Sequence, residues 1–325
     1  MTTVADGLYQ FGGQPVGSGF PPTPGNMYFV NYGTGADSTG GYGRNPNKPW
    51  KTIEYAYSQV DTNQDDIIVL QGSATHVLSA MLDVTKSRVH FIGMDGTGGR
   101  FYGNNAKVSL TATSGATNIA TLKNTGVRNS FVNIKFINES TVTEGIYCVA
   151  EGGEYSLYQN CEIYKATDLD VTGAAELLLN GDSSQFINCT IGSLANEIVG
   201  AIIRPCVLLT KNLVTASSVT RDSYFQNCMF WRNGGNAANR LVYGANATDV
   251  ERMLLFKGCG FINNPQGTAN PGEAVAFGAT LTVGAVTLDP TCFTTNITKV
   301  SGTTGVFVTG AVPTAATSSI AVNAA

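Results

Sequence analysis

The stretch that decides the fold is QFINCTIG, residues 185–192, because its form recurs along the chain. The other copies are LYQNCEIY at 157–164, YFQNCMFW at 224–231 and LFKGCGFI at 255–262. When the copies are aligned on the residue before the cysteine, the residues in register are Asn160, Asn188, Asn227, Gly258 and, more loosely, Asn133. A unit of roughly 30 residues therefore repeats.

On both sides of the asparagine, every second residue of a copy is apolar and faces one way. In the copy at 185–192 these residues are Phe186, Cys189 and Ile191. Alternation with a period of two is typical of a β-strand, and asparagine tolerates the left-handed backbone conformation of a sharp bend. A further apolar run precedes each copy, for example ELLLNG at 176–181. Each unit is thus predicted to hold three short strands.

A unit of this kind cannot bury its apolar face alone, whereas stacked units share one continuous core. We therefore predict a parallel β-helix in which the repeated asparagines and cysteines form a structural ladder. The ladder residues are Asn160, Cys161, Asn188, Cys189, Asn227, Cys228 and Cys259. An antiparallel β-sandwich, which also has many short strands, is the alternative.

Composition excludes several functional classes. Charged residues make up 13% of the chain and the net charge is −4, so the basic surface that nucleic-acid binding requires is not expected. No run of about 18 apolar residues predicts a membrane span, and the first residues do not resemble a secretory signal. The seven cysteines are odd in number and lack metal-ligand spacing. They are predicted to be reduced and buried, with no metal or other cofactor.

One amphipathic helix is predicted in KPWKTIEYAYSQV, residues 48–60. Ile53, Ala56, Tyr57 and Val60 fall on one face of it. The longer stretch around it, residues 27–72, resembles the opening of right-handed parallel β-helix proteins of the pectate-lyase-like superfamily, which includes bacteriophage tailspikes and related virion proteins. The resemblance implies that the helix near 50–60 caps the open end of the solenoid.

The predicted organisation has three parts. Residues 1–26 carry a single charge, Asp6, and contain Tyr9, Phe11 and Phe20, so we expect an extended arm that lies on a partner surface. Residues 27–265 form the all-β solenoid. Residues 266–325 are poor in charge and are expected to form a small C-terminal β region for oligomerisation or capping.

No catalytic constellation emerges from the repeat. The residues after the ladder cysteines, which should point outward, are Glu162, Thr190, Met229 and Gly260, so no column of carboxylates is expected. The acidic pairs are predicted to be solvated turn residues: Asp65 with Asp66, Glu151 with Glu154, and Asp168 with Asp170, the last being the best calcium or catalytic candidate. His76 and His90 are predicted to lie on the surface.

Three functions remain open. The favoured prediction is a non-enzymatic virion protein, a homotrimeric capsid decoration that binds the major capsid protein. The alternative is a tailspike or fibre that binds or depolymerises host-surface polysaccharide, with Tyr164, Trp231 and Tyr243 contacting glycan or another subunit. A secreted polysaccharide lyase is the least favoured of the three functions, because a secretory signal is not recognised.

Overall fold

The structure is a computed structural model. It describes residues 10–11, 14–15, 25–72, 74–94, 106–111, 119–140, 146–166, 173–198, 204–210, 220–264 and 270–309; for 10–11, 14–15 and 193–198 it describes the backbone only. In chain order the elements are β1 (Gln10–Phe11), β2 (Gln14–Pro15), β3 (Met27–Val30), α1 (Ile53–Gln59), β4 (Asp66–Leu70), β5 (His76–Leu78), β6 (Leu82–Val84), β7 (Val89–Gly93), β8 (Ala106–Leu110), β9 (Leu122–Asn124), β10 (Ser130–Val132), β11 (Ile134–Asn138), β12 (Tyr147–Glu151), β13 (Leu157–Gln159), β14 (Glu162–Lys165), β15 (Ala175–Leu179), β16 (Gln185–Ile187), β17 (Thr190–Ile198), β18 (Val207–Leu209), β19 (Ser223–Gln226), β20 (Met229–Gly234), β21 (Arg240–Gly244), β22 (Met253–Lys257), β23 (Gly260–Asn264), β24 (Glu273–Phe277), β25 (Ala285–Leu288), β26 (Phe293–Thr295) and β27 (Val306–Val308).

Almost all of these strands belong to three parallel sheets. Sheet I has the order β27-β25-β22-β19-β16-β13-β10-β7-β4-β3, sheet II the order β26-β23-β20-β17-β14-β11-β8-β5, and sheet III the order β24-β21-β18-β15-β12-β9-β6. From β4 to β26 the chain visits sheets I, II and III in turn, and each strand pairs in parallel with its counterpart one coil away. The predicted right-handed parallel β-helix is confirmed, and the sandwich alternative is excluded because its sheets would be antiparallel.

The bend between sheets I and II repeats in successive coils. Asn133, Asn160, Asn188 and Asn227 have φ values of 52° to 59°, and Gly258 takes the same place with φ 61°. The amide Nδ2 of Asn188 donates to Oδ1 of Asn160 at 3.3 Å. Asparagine occupies these positions because it tolerates the left-handed region better than most residues do.

A stack of aromatic rings fills the interior behind sheet I. Neighbouring ring centroids lie 4.7–5.3 Å apart with interplanar angles of 10–20°. The stack consists of Phe91, Phe131, Tyr158, Phe186, Phe225 and Phe256. Such contacts stabilise the core beyond simple burial of area, and they fix the register of the coils.

Five of the seven cysteines directly precede a strand of sheet II, and each of these thiols donates to a backbone carbonyl of the preceding coil. The acceptors are Phe131, Tyr158, Phe186, Phe225 and Phe256 for Cys161, Cys189, Cys228, Cys259 and Cys292 respectively, at 3.3–3.5 Å. All seven cysteines are free thiols; six are buried and Cys292 is partly exposed. The carbonyls that accept these bonds are those of the aromatic stack.

The helix α1 packs on the first coil. Its N-cap residue Thr52 accepts a hydrogen bond from the backbone N–H of Tyr55, and Ile53 and Ala56 are buried in the main core. The Asp37 carboxylate accepts from the backbone N–H groups of Lys51 and Thr52, which stabilises the start of the helix. Within the described part of the chain, no helix is long and apolar enough to cross a membrane.

Strands β24 to β27 continue the same three sheets, so coil structure extends beyond residue 265 as far as Val308. In the predicted arm, the described strands β1 and β2 pair antiparallel as a separate two-stranded sheet. The side chains of Tyr9, Phe11 and Phe20 lie outside the described residues.

Candidate functional site

The outer face of sheet II brings charged and aromatic side chains together in adjacent coils. The register aligns Lys135 with Glu162 and Ile137 with Tyr164. Nζ of Lys135 lies 2.7 Å from a carboxylate oxygen of Glu162 and 4.9 Å from the centre of the Tyr164 ring. The ammonium group therefore pairs with the carboxylate and also contacts one side of the ring, which holds Tyr164 in a defined orientation.

Trp231 lies in the same outward column as Tyr164, with Gly192 between them. Gly192 has φ 110°, and a Cβ placed there would lie 1.9 Å from the carbonyl oxygen of Trp231. A larger residue would push this strand away from Trp231, so glycine allows the close approach. Tyr164 and Trp231 are both partly exposed and lie two coils apart, about 10 Å.

Tyr243, the third predicted contact residue, lies on sheet III, where it pairs with Leu208 and Ala276. The structure thus brings Tyr164 and Trp231 onto one face and places Tyr243 on another. We define the sheet II face by Lys135, Glu162, Tyr164 and Trp231.

Tyr164 is the protonated polar group of the sheet II face. Burial, followed by nearby thiol and carboxylate groups, raises the pKa of Tyr164 to about 12. The phenol therefore keeps its proton at neutral pH and can donate a hydrogen bond. Glu162 pairs with Lys135 through one oxygen, while its other oxygen, Oε1, accepts no hydrogen bond from a described residue. That oxygen is buried.

Buried charges lie beneath this face, at the corner between sheets II and III. Arg232 donates two hydrogen bonds to Glu176, at 3.0 and 2.6 Å, and Arg204 lies 3.9 Å from the same carboxylate. Glu176 and Arg232 are both nearly inaccessible to solvent. Since Arg232 follows Trp231 in β20, this ion pair anchors the strand that carries Trp231.

A second buried cation anchors Tyr164. Lys165, the next residue in β14, donates to the Ser140 carbonyl at 3.1 Å. Burial, together with repulsion from Arg204, lowers the pKa of Lys165 to about 8. In addition, the thiol of Cys206 donates to the Trp231 carbonyl at 3.2 Å. The face is therefore held from behind by interior polar contacts.

The column that follows the cysteines runs Lys135, Glu162, Thr190, Met229 and Gly260, so it holds one carboxylate among its described members. Among the described residues, no group of three or more His, Cys, Asp or Glu side chains could hold a metal ion. The predicted calcium candidates Asp168 and Asp170 lie outside those residues.

Several polar residues predicted to be solvated are buried instead. His76 is 1% exposed and His90 is 6% exposed, so the predicted surface positions were wrong. Glu151 is fully buried inside the solenoid, and Asp66 accepts a hydrogen bond from the backbone N–H of Asn26 at 2.6 Å. His90 and Asp66 were mispredicted because their partners come from neighbouring coils, some 40 residues away along the chain.

Three parallel sheets in continuous coils define the chain as a right-handed parallel β-helix protein. Its fold is similar to that of a pectin methylesterase in complex with a hexasaccharide (13% identity, TM-score 0.56, 89% of this chain and 91% of that chain). It is also similar to a pectin methylesterase from Aspergillus niger (11%, 0.52, 88% and 84%) and to pectate lyase Pel9A (12%, 0.49, 90% and 82%). A protein of Geobacillus virus E2, ORF18, matches with 12% identity and a TM-score of 0.34 over 86% of this chain and 61% of that chain, too low a similarity to support an argument. No family model and no curated protein matches the chain.

The prediction of a non-enzymatic protein is contradicted by these comparisons, because the solved structures that share the fold include pectin methylesterases. The prediction was wrong because it relied on the absence of a carboxylate column, which excludes only one kind of active site. At 11–13% identity the similarity extends to the fold alone and assigns no reaction to this chain.

Proposed function

We propose that this chain is a virion β-helix protein that binds polysaccharide through the sheet II face. The observation that carries the proposal is the pairing of Tyr164 with Lys135 and Glu162 in adjacent coils, with Trp231 in the same column as Tyr164. Aromatic rings supply apolar surface and a few polar groups fix orientation, which is the usual composition of a small-molecule site.

The rigidity of the face supports this proposal. Binding residues on sheet strands lose little freedom when a ligand binds, because the interior contacts of Lys165, Arg232 and Cys206 already hold the backbone. An extended face along the solenoid also suits a chain-like ligand, and a pectin methylesterase of the same fold has been solved in complex with a hexasaccharide.

The test is a binding measurement against an array of bacterial capsular and O-antigen polysaccharides, followed by calorimetry with each bound glycan. We expect Tyr164→Ala and Trp231→Ala each to weaken binding by at least about tenfold, which corresponds to about 1.4 kcal/mol. Tyr155→Ala is the matched control, since Tyr155 is 57% exposed and lies outside the sheet II face. Absence of glycan binding, or equal affinity in all three variants, would contradict the proposal.

We further propose that the chain is a homotrimer attached to the phage head as a capsid decoration, with residues 1–26 contacting the major capsid protein. The support is the sparse charge of both chain ends and the resemblance of residues 27–72 to virion β-helix proteins. Quantitative mass spectrometry of purified particles tests this placement. Hundreds of copies per particle are expected; a few dozen or fewer would indicate a tailspike or fibre.

A further inference from the structure

Three polar residues from different coils form a linear hydrogen-bonded chain at the start of sheet I. Nδ1 of His90 lies 2.7 Å from Oγ of Ser130, and Nε2 of the same ring lies 3.3 Å from a carboxylate oxygen of Asp65. His90 and Ser130 are aligned in adjacent strands, with both side chains on the outer face of the sheet. The arrangement lies on sheet I and shares no residue with the sheet II face.

The direction of these hydrogen bonds follows from the protonation states. Burial would raise the pKa of Asp65, but hydrogen bonds from Arg88 and His90 outweigh it and lower the pKa below 3.8. Burial also lowers the pKa of His90 below 6.5, so the ring is neutral at pH 7. Since an ionised Asp65 can only accept, Nε2 carries the ring proton and Nδ1 is the bare nitrogen. The Ser130 hydroxyl therefore donates to His90.

The group of Asp65, His90 and Ser130 has a charged, solvent-exposed side and an apolar side. Arg88 forms an ion pair with Asp65, and its side chain is 41% exposed, which marks the solvent side of the group. Next to His90 and Ser130, the outer face of sheet I carries a buried apolar patch consisting of Phe29, Ile67, Val69 and Ile92, with Met27, Met94 and Val132 packed against it. Ile67 is aligned with His90 in the neighbouring strand. An apolar group bound beside Ser130 would contact the partly exposed residues of this patch, such as Val132, which lies two residues from Ser130 in β10.

We infer that Ser130, His90 and Asp65 form a serine nucleophile, its general base and a positioning carboxylate that act on carboxylic esters with an apolar acyl group. Hydrogen-bonded nucleophile, base and orienting group are the features that identify such sites on unrelated folds. In the proposed step, Oγ of Ser130 attacks the ester carbonyl while its proton moves to Nδ1 of His90. The ester C–O bond breaks, and the alcohol leaves with that proton. Water then attacks the acyl-serine by the reverse route and releases the carboxylic acid.

The experiment treats the full-length chain with a fluorophosphonate probe, which reacts with activated serines. Intact mass and peptide mapping then locate the adduct. We expect one adduct per chain, on Ser130, and slow hydrolysis of p-nitrophenyl butyrate. Because mapping uses the wild-type chain, the result does not depend on whether a variant folds. Ser130 and His90 are each 6% exposed, so labelling also measures whether an ester reaches Oγ.

Variants separate catalysis from a purely structural hydrogen bond. Ser130→Ala should abolish labelling, and His90→Gln should slow it by at least about 100-fold, the contribution typical of a general base. Ser58→Ala, on the exposed end of α1, should label at the wild-type rate. Absence of an adduct on wild-type Ser130, or labelling of His90→Gln at the wild-type rate, would overturn the inference. Neither outcome bears on the sheet II face.

Discussion

The free energy of unfolding is predicted to depend on pH through Glu151. This carboxylate is fully buried, and it accepts hydrogen bonds from Tyr158 at 2.6 Å, Asn124 at 2.9 Å and the backbone N–H of Gly153 at 2.7 Å. Burial raises its pKa from 4.5 to about 7, although the hydrogen bonds oppose the rise. The difference corresponds to about 3 kcal/mol, at about 1.4 kcal/mol for each pH unit.

The sign follows from linkage. The folded protein holds the Glu151 proton more tightly than the unfolded chain, so this contribution to stability is fully present below pH 4.5. It is lost as the pH rises through about 7, because the unfolded chain then ionises more readily than the folded protein. Glu151→Gln keeps a polar group of the same size and removes the ionisation.

The assay is urea denaturation of the wild-type protein and Glu151→Gln across the range from about pH 4 to about pH 8. Subtracting the two curves removes the contribution of every other titrating group. The wild-type protein should lose about 3 kcal/mol relative to Glu151→Gln over this range. Two curves that stay parallel within about 1 kcal/mol would refute the reasoning, because Glu151 would then titrate alike in both states.

Three further predictions concern the interior. Phe186→Ala removes a ring from the buried stack and should lower the free energy of unfolding by about 3–5 kcal/mol. Phe293→Ala, which removes a 47% exposed ring, should change it by less than about 0.5 kcal/mol. Equal effects of the two variants in urea denaturation would contradict the stack. Arg232→Met leaves Glu176 without its bidentate partner and should cost about 3–5 kcal/mol, while Arg221→Met, in a solvent-exposed ion pair, should have a much smaller effect; the reverse order would contradict the burial of the corner. Thiol labelling of the native protein should modify the partly exposed Cys292 before the six buried cysteines, and faster labelling of a buried thiol would contradict the packed interior.

The repeat was sufficient to predict the solenoid, because each coil reuses the same local physics. An asparagine at the bend, a small cysteine behind it and apolar residues at a period of two are visible in 157–164 and again in 185–192. The capping helix was also predictable, since the apolar face of α1 and its N-cap are local features.

The polar sites were not predictable in the same way. His90 contacts Ser130, and Glu176 contacts Arg232, across 40 and 56 residues. Their alignment depends on the length of every intervening loop, which the repeat leaves open. Glu151 was predicted to be a turn residue, yet it is the last residue of β12 and its buried side chain is stabilised by Tyr158 and Asn124. Sequence patterns report the period of the backbone, whereas burial of a single polar group depends on its partners in space.

The central claim is that the sheet II face binds polysaccharide. The most direct measurement is a crystal structure of the chain with an oligosaccharide from the polysaccharide that binds in the array. The account predicts sugar density across Tyr164 and Trp231, the two partly exposed aromatic residues of the face. Sugar bound only to another sheet or to a loop, with the sheet II face empty, would contradict it.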